Sequence, residues 1–237
     1  DNSIQPASRW YTGAGIYRHV RLVSTNPIHV DHWGSFITSS NVTAQNAKVQ
    51  IQTTILNESS SSETITVRNS LIDPSGKEVA STQSSKKIDA CKKETISQTS
   101  EIKKPLLWDV DNPQLYKAVT TIIVKKQNVD EVRNSFGVRD AHFDAATGFW
   151  LNGKNLKIKG VCLHHDGGAF GSAVPLRVWE KRLTSLKEIG VNGIRTSHAE
   201  TAPEFLDLCD KLGFLVMDET FNTWNAAKPG AQKGYNL

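Results

Sequence analysis

In the last third of the chain, three short apolar runs alternate with two amphipathic segments. The segments 177–189 and 203–212 carry apolar residues at helical spacing, and each is followed by a glycine that can end a helix. The runs expected to form strands cover residues 155–163, 191–196 and 214–217. This β-α-β-α-β order predicts parallel strands with right-handed crossovers, because parallel neighbours need a long connection. The last run is wholly apolar, which predicts a strand covered on both faces.

The preceding region, residues 26–138, shows period-two alternation and polar turns in place of helical spacing. In residues 48–56, for example, Val49 and Ile51 fall on one face of a strand and Gln50 on the other. Strands are expected at residues 48–56, 63–72, 77–88, 94–102, 115–126 and 129–138. About seven short strands in a region of this size predict a two-sheet immunoglobulin-like β-sandwich, although the Cys…Trp…Cys spacing of true immunoglobulins is absent.

Residues 10–22 predict a glycine-rich turn that leads into a single strand. A lone strand has no sheet to join, so this strand is expected to be the last one of a further domain. Together the patterns predict three parts. Residues 1–25 end that further domain, residues 26–138 form the sandwich, and residues 139–237 begin a parallel α/β domain that stops less than halfway through.

Composition excludes several classes of function. The 28 basic and 24 acidic residues are interspersed and give a net charge of only +4, which argues against a nucleic-acid partner. No apolar run reaches the length of about 18 residues that a membrane-spanning helix needs, so no membrane partner is expected. The three cysteines, Cys91, Cys162 and Cys209, lack the spacing of zinc and redox motifs. They are expected to be free thiols, two of them buried.

Six segments, taken in chain order, resemble glycoside hydrolase family 2, and within it the β-galactosidases. They are residues 9–18, 107–116, 136–139, 152–166, 193–198 and 208–219. The first resembles the end of the family's sugar-binding jelly roll, and the second resembles a motif of its immunoglobulin-like linking domain. The others resemble the passage into the catalytic barrel and its first three strands. The resemblance implies an immunoglobulin-like β-sandwich followed by the first β/α units of a (β/α)8 TIM barrel, within a longer enzyme.

The resemblance also implies retaining hydrolysis of terminal β-linked galactosyl residues, with a carbohydrate as the substrate. The family uses one Glu after the fourth barrel strand as acid/base and one Glu after the seventh as nucleophile. Neither strand is expected within this chain. Asp218 and Glu219 are not expected to be that pair, because adjacent strand residues point to opposite faces. The chain by itself is therefore expected to be inactive.

The candidate substrate-binding or supporting residues follow the three parallel strands. They are His164, His165, Arg195, His198, Asp218 and Glu219. By resemblance, His164 and His198 contact the sugar, and Arg195 holds the carboxylate of the nucleophile ionised and oriented. A guanidinium suits that role because it donates two parallel hydrogen bonds and keeps its charge. By resemblance, Asp218 and Glu219 support the site indirectly. A purely structural role stays open for the histidines and for Arg195.

Some positions depart from the family pattern. Certain family members bind magnesium through Glu and His a few residues beyond the Asp-Glu pair, where this chain has Thr223 and Asn225. No magnesium site and no other cofactor are therefore expected. Ser8 stands where some members carry a sugar-contacting Asp, and residues 199–202 replace a common Asn and two prolines.

Other interpretations stay open. The parent protein could act on another β-linked sugar, as the β-glucuronidases and β-mannosidases of the same family do. The chain could instead serve as a carbohydrate-binding or structural module without catalysis, in which Trp33, Trp108 or Trp150 stacks on a sugar. An incomplete barrel exposes a strand edge and apolar faces, so a homo-oligomer is a further alternative. The compartment, bacterial periplasm or cytoplasm, is left open.

Overall fold

The computed structural model of the protein describes residues 15–198 and 200–220. The chain separates into two compact units. Residues 22–157 form the sandwich unit, and residues 15–21 with 158–220 belong to the barrel unit. The expectations for Ser8, for residues 10–14 and for the magnesium positions Thr223 and Asn225 lie outside the described residues.

The sandwich unit is built mainly from two antiparallel sheets, as the period-two alternation predicts. Its first seven strands are β1 (Ile28–Ser40), β2 (Asn46–Asn57), β3 (Glu63–Ile72), β4 (Glu78–Ile88), β5 (Lys92–Lys103), β6 (Tyr116–Val124) and β7 (Gln127–Phe136). One sheet has the order β1-β2-β5 and the other the order β4-β3-β6-β7. The predicted immunoglobulin-like sandwich is confirmed.

The core of the sandwich lies between these sheets, where alternate residues of each strand are buried. In β2, Val49 and Ile51 are at most 2% exposed, whereas Gln50 faces solvent. Ile55 of the same strand packs in one apolar cluster with Ile65 and other residues of the opposite sheet. Burying an aliphatic side chain of this size contributes about 1.5–3 kcal/mol, so the alternation supplies the main force that joins the sheets.

A polar network crosses the core between its two apolar clusters. The side-chain oxygen of Gln98 accepts a hydrogen bond from Asn69 Nδ2 at 2.5 Å. Its Nε2 donates to Ser84 Oγ at 2.8 Å and to the Val67 carbonyl at 3.1 Å. Thr120 Oγ1 donates to Asn69 Oδ1 at 2.5 Å. These buried groups are satisfied by one another, so the network links β5 of one sheet to the other sheet in a defined position.

Strand β1 lies at a sheet edge and is interrupted by a β-bulge. It pairs with β2 at residues 28–30 and 35–40, with a shift of register between them. Trp33 takes a positive φ of 54°. A Cβ on Gly34 would lie 2.6 Å from the Asp31 carbonyl oxygen and 2.8 Å from that of Thr54, so only glycine fits. The bulge breaks the alternation, which is why the sequence pattern alone does not reveal β1.

A small antiparallel sheet follows the sandwich strands. It consists of β8 (Ala141–Asp144), β9 (Gly148–Leu151) and β10 (Lys154–Asn155). The single strand expected at residues 155–163 is therefore correct only in its last four residues, Gly160–Leu163. Asn152 and Gly153 have φ values of 51° and 75°, as in a tight hairpin turn, and they direct β10 back onto β9. The next strand begins only at Gly160.

The barrel unit has the predicted β-α-β-α-β order. Its elements are β11 (Gly160–Leu163), α1 (Leu176–Glu188), β12 (Gly193–Thr196), α2 (Pro203–Leu212) and β13 (Leu215–Met217), with a short 3-10 helix at Gly168–Phe170. The three strands are parallel and adjacent in the order β11-β12-β13, which confirms the expectation. Trp179 and Leu183 of α1 and Phe205 of α2 share a core with Ile194 of β12. No helix in the described part of the chain is long and apolar enough to cross a membrane.

Three further expectations are corrected by the structure. Strand β13 is not covered on both faces, since Met217 is 66% exposed and the helices pack together on one side of the sheet. Only Cys209 is buried, while Cys91 and Cys162 are exposed. Residues 16–22 form no strand.

The three tryptophans that could stack on a sugar have different environments. Trp108 is 2% exposed and stacks under the Arg139 guanidinium at 4.7 Å, so it is a core residue. Trp150 is partly buried and lies parallel to the His142 ring at 6.3 Å. Trp33 is 76% exposed and remains available for contact.

Candidate functional site

The candidate residues lie at the carboxyl end of the parallel sheet. His164 directly follows β11, His198 follows β12, and Asp218 and Glu219 follow β13. Because the strands are parallel and adjacent, their carboxyl ends meet at one edge, where α/β folds bind ligands. Arg195 is the third residue of β12 and pairs in register with Cys162 and Met217. We call this edge the rim.

Glu219 is the residue around which the rim is organised. Its Oε1 accepts a hydrogen bond from Arg195 Nε at 2.6 Å and a second contact from the Nη2 atom of the same guanidinium. Its Oε2 accepts a hydrogen bond from His198 Nδ1 at 2.6 Å. The hydrogen bond from His198, followed by those from Arg195, holds the pKa of the Glu219 carboxyl below its usual value. Glu219 is therefore an ionised group that fixes two cationic or hydrogen-bonding side chains.

Asp218 has a different set of partners from its neighbour. Its Oδ1 accepts a hydrogen bond from Thr196 Oγ1 at 2.6 Å. The same hydroxyl oxygen accepts a hydrogen bond from the Glu219 backbone N–H at 2.8 Å. Thr196 is 2% exposed, so it joins the ends of β12 and β13 from within the structure. The two carboxylates thus turn to separate partners and do not face each other as an acid and nucleophile pair.

His164 and His198 approach each other at the rim. The Nδ1 atom of His164 donates to the Ser197 carbonyl oxygen at 2.7 Å. The rings of His164 and His198 lie edge to face with centroids 6.0 Å apart. The Ser197–His198 peptide bond is cis. Two imidazoles, one guanidinium and one carboxylate therefore gather at one edge of the sheet.

His165 does not join this group. Its ring lies 5.5 Å from the Tyr17 ring and 6.4 Å from that of Trp179, on the side of the helices. Burial, and secondarily the positive charge of Arg18, lowers the pKa of His165. Of the six candidates, the structure brings His164, Arg195, His198 and Glu219 together, connects Asp218 through Thr196, and places His165 among aromatic rings.

Two residues near the rim were not candidates from the sequence. Thr196 ends β12 and bridges Asp218 and the Glu219 backbone. A polar residue on the buried face of a strand end is a recognisable signal for such a role. Arg18 donates hydrogen bonds to the carbonyl oxygens of Glu200 and Thr201, and no local pattern marks a contact across about 180 positions.

The rim has no metal-binding set of side chains in the part of the chain that the structure describes. No three His, Cys, Asp or Glu residues among residues 15–198 and 200–220 are grouped as metal ligands. The imidazole and carboxylate groups of the rim bond to one another instead. Such an arrangement can hold a polar ligand through hydrogen bonds.

Two models of one protein family match this chain, one after the other. The model of glycosyl hydrolases family 2 matches residues 28–139, and the model of that family's TIM barrel domain matches residues 145–234. The β-galactosidase BoGH2A of Bacteroides ovatus is 48% identical over 228 residues, which is 96% of this chain and 27% of the relative. A Formosa agariphila protein with a provisional β-glucuronidase name is 38% identical over 97% of the chain and 21% of its own length.

Solved structures agree with these matches. A glycosyl hydrolase family 2 member from Bacteroides cellulosilyticus superimposes with a TM-score of 0.89 and 36% identity, over 96% of this chain and 29% of that one. A Bacteroides uniformis β-glucuronidase gives a TM-score of 0.84 and 28% identity, over 92% of this chain and 27% of that one. The chain spans about a quarter of the length of these relatives. It belongs to glycosyl hydrolase family 2.

Proposed function

We propose that this chain is the central section of a longer retaining exo-β-galactosidase that removes terminal β-D-galactosyl residues from carbohydrates. The observation that carries the proposal is the rim, where His164, Arg195, His198 and Glu219 meet at the carboxyl end of a parallel sheet. That edge is where TIM-barrel enzymes bind their substrates. The 48% identity to a β-galactosidase favours galactose as the sugar.

Each rim residue has a role that its contacts support. His198 and His164 would donate or accept hydrogen bonds with sugar hydroxyls, since His164 is exposed at the rim and His198 is half-buried there. Arg195 would orient the carboxylate of the nucleophile, while Glu219 holds the guanidinium in place. Asp218 would stabilise the ends of β12 and β13 through Thr196. His165 would support the rim from among the aromatic rings of Tyr17 and Trp179.

The chemistry would be a double displacement. One Glu protonates the glycosidic oxygen while a second Glu attacks the anomeric carbon, which breaks the glycosidic bond and forms a glycosyl-enzyme ester. Water, deprotonated by the first Glu, then releases the sugar. In a retaining enzyme the two carboxyl groups lie about 5–5.5 Å apart, which adjacent Asp218 and Glu219 with divergent partners do not offer. We therefore assign both catalytic Glu residues to other parts of the parent protein.

The experiment is an assay of the full-length parent protein with aryl β-galactoside, β-glucuronide and β-mannoside. We expect the β-galactoside to have the highest kcat/KM by at least tenfold, and we expect the 237-residue chain alone to give no turnover. The variant His198→Ala should lose most activity, whereas His142→Ala, an exposed histidine of β8, serves as the matched control. Turnover by the isolated chain, or equal loss in both variants, would contradict the proposal.

A second specificity is favoured by one specific observation. The matches include a provisionally named β-glucuronidase at 38% identity and a solved β-glucuronidase with a TM-score of 0.84. The same rim would then hold a sugar that carries a carboxylate. A higher kcat/KM for the β-glucuronide in the assay above would select this alternative.

A further inference from the structure

The segment that precedes the sandwich unit is bonded to the loop after β12. The Arg18 guanidinium donates through Nη1 to the Thr201 carbonyl at 3.1 Å and through Nη2 to the Glu200 carbonyl at 2.5 Å. Arg21 of the same segment forms an ion pair with Glu204 at the start of α2. We call residues 197, 198 and 200–202 the rim loop. Arg18 thus contacts the rim loop, and Arg21 contacts the helix beyond it.

The rim loop carries His198 and has few other attachments. At its start, the Ser197 N–H donates to the Leu163 carbonyl at 2.9 Å. At its end, the Ala202 carbonyl accepts the first hydrogen bonds of α2. Within residues 15–198 and 200–220, the carbonyls of Glu200 and Thr201 have no donor other than Arg18. Between its two ends, the loop is therefore held by the forked guanidinium and by the hydrogen bond of His198 to Glu219.

We propose that Arg18 is a positioning residue that acts through His198. By fixing two consecutive carbonyls, it holds the rim loop in the conformation in which His198 Nδ1 reaches Glu219 Oε2 at 2.6 Å. A planar fork can serve two neighbouring acceptors at once, which a single ammonium group cannot do in the same geometry. The inference rests on the proposed function, because it assigns His198 a contact with the substrate.

The test is a double-mutant cycle in the full-length parent protein. Arg18→Met should lower kcat/KM for the aryl β-galactoside about tenfold, mainly through KM, because a displaced contact group weakens substrate positioning. Arg18→Lys should fall between the wild type and Arg18→Met. In a His198→Ala background, Arg18→Met should have less than a twofold further effect, since two residues that act as a unit are not additive. Arg21→Met, which leaves the loop carbonyls bonded, should change kcat/KM less than twofold in either background.

A second measurement does not depend on which sugar is cleaved. Hydrogen–deuterium exchange of the peptide that contains residues 198–202 should be faster in Arg18→Met than in the wild type, and unchanged in Arg21→Met. If exchange is faster in Arg18→Met but the wild type has no β-galactosidase activity, the proposed function is wrong and the role of Arg18 in holding the loop stands. Unchanged exchange in Arg18→Met, or full additivity of Arg18→Met and His198→Ala, would overturn the role of Arg18.

Discussion

The Nδ1 atom of His198 lies 2.6 Å from Oε2 of Glu219. A carboxylate only accepts hydrogen bonds, so in the neutral imidazole the proton resides on Nδ1 and Nε2 is the acceptor. Glu219 therefore selects the tautomer of His198. An acceptor nitrogen at the rim is suited to receive a hydrogen bond from a sugar hydroxyl.

Replacing Glu219 should lower activity, although Glu219 is not one of the two proposed catalytic Glu residues. In Glu219→Gln, the amide lacks the charge and one of the two acceptor oxygens, so Arg195 and His198 cannot both keep their bonds. We expect kcat/KM of the full-length protein to fall about tenfold or more, in line with the loss of an orienting partner. Glu180→Gln, at an exposed ion pair with Arg177, is the control and should have no effect.

The same variant should alter the dependence of stability on pH. The folded pKa of Glu219 lies below its usual value of 4.5, so its contribution to stability is present above that pH and is lost as the pH falls through the folded pKa. The difference in melting temperature between wild type and Glu219→Gln should therefore be largest near neutral pH and should shrink below about pH 4. Thermal melts across this range would measure it. A difference that is constant with pH would contradict the expectation.

His165 should also make stability depend on pH, in the same direction as Glu219 but in a higher range of pH. Its folded pKa lies below its usual value of 6.5 because of burial and the nearby charge of Arg18, so the fold favours the neutral imidazole. Stability should therefore decline as the pH falls below about 6.5, where the unfolded chain takes up the proton more readily. His165→Phe keeps an aromatic ring beside Tyr17 and Trp179 and should reduce this decline. His142→Phe, at an exposed position, should leave it unchanged.

The cysteines should differ in reactivity toward a thiol reagent. Cys209 is 1% exposed, and burial raises the pKa of its thiol to about 12. In the 237-residue chain, Cys91 and Cys162 should be modified rapidly and Cys209 only after unfolding. Mass spectrometry of the labelled peptides, with and without denaturant, would identify the sites. Labelling of Cys209 in the native chain would contradict the structure of the barrel core.

Removing one side chain from the polar network of the sandwich should lower the stability of the fold. Gln98→Leu leaves the Asn69 amide without its buried acceptor and removes the donor to Ser84. We expect a loss of about 1–3 kcal/mol in the free energy of unfolding, measured with urea. Gln50→Leu, on the exposed face of β2, is the matched control and should stay within about 0.5 kcal/mol of the wild type.

Regular elements could be predicted because their patterns are local. Helix α2 has the expected bounds, with Pro203 at its start and Gly213 in the left-handed conformation after it. Strands β2, β5 and β6 alternate regularly between buried and more exposed residues, and β3 matches its expected range. The hairpin of β9 and β10 was not predicted, although its turn residues Asn152 and Gly153 are a sequence signal for a tight turn.

The sequence predicts which residues lie at the strand ends, but it does not predict the contacts that their side chains make. Arg195, His198 and Glu219 follow from the rule that ligands bind at the carboxyl ends of parallel strands. The difference between His164 and His165 does not follow from their positions, since it depends on the aromatic rings of Tyr17 and Trp179. The hydrogen-bond partners of Glu219 also cannot be predicted without the positions of the side chains.

The bulge in β1 has a consequence for the solubility of the sandwich unit. An uninterrupted edge strand offers a row of free backbone groups on which a strand from another molecule can add. Residues 31–34 interrupt that row, because Trp33 takes a positive φ and Gly34 follows where no side chain fits. A strand from another molecule could then form regular backbone hydrogen bonds with only one part of β1, either before or after the bulge. The local distortion thereby protects the fold from uncontrolled assembly through this border.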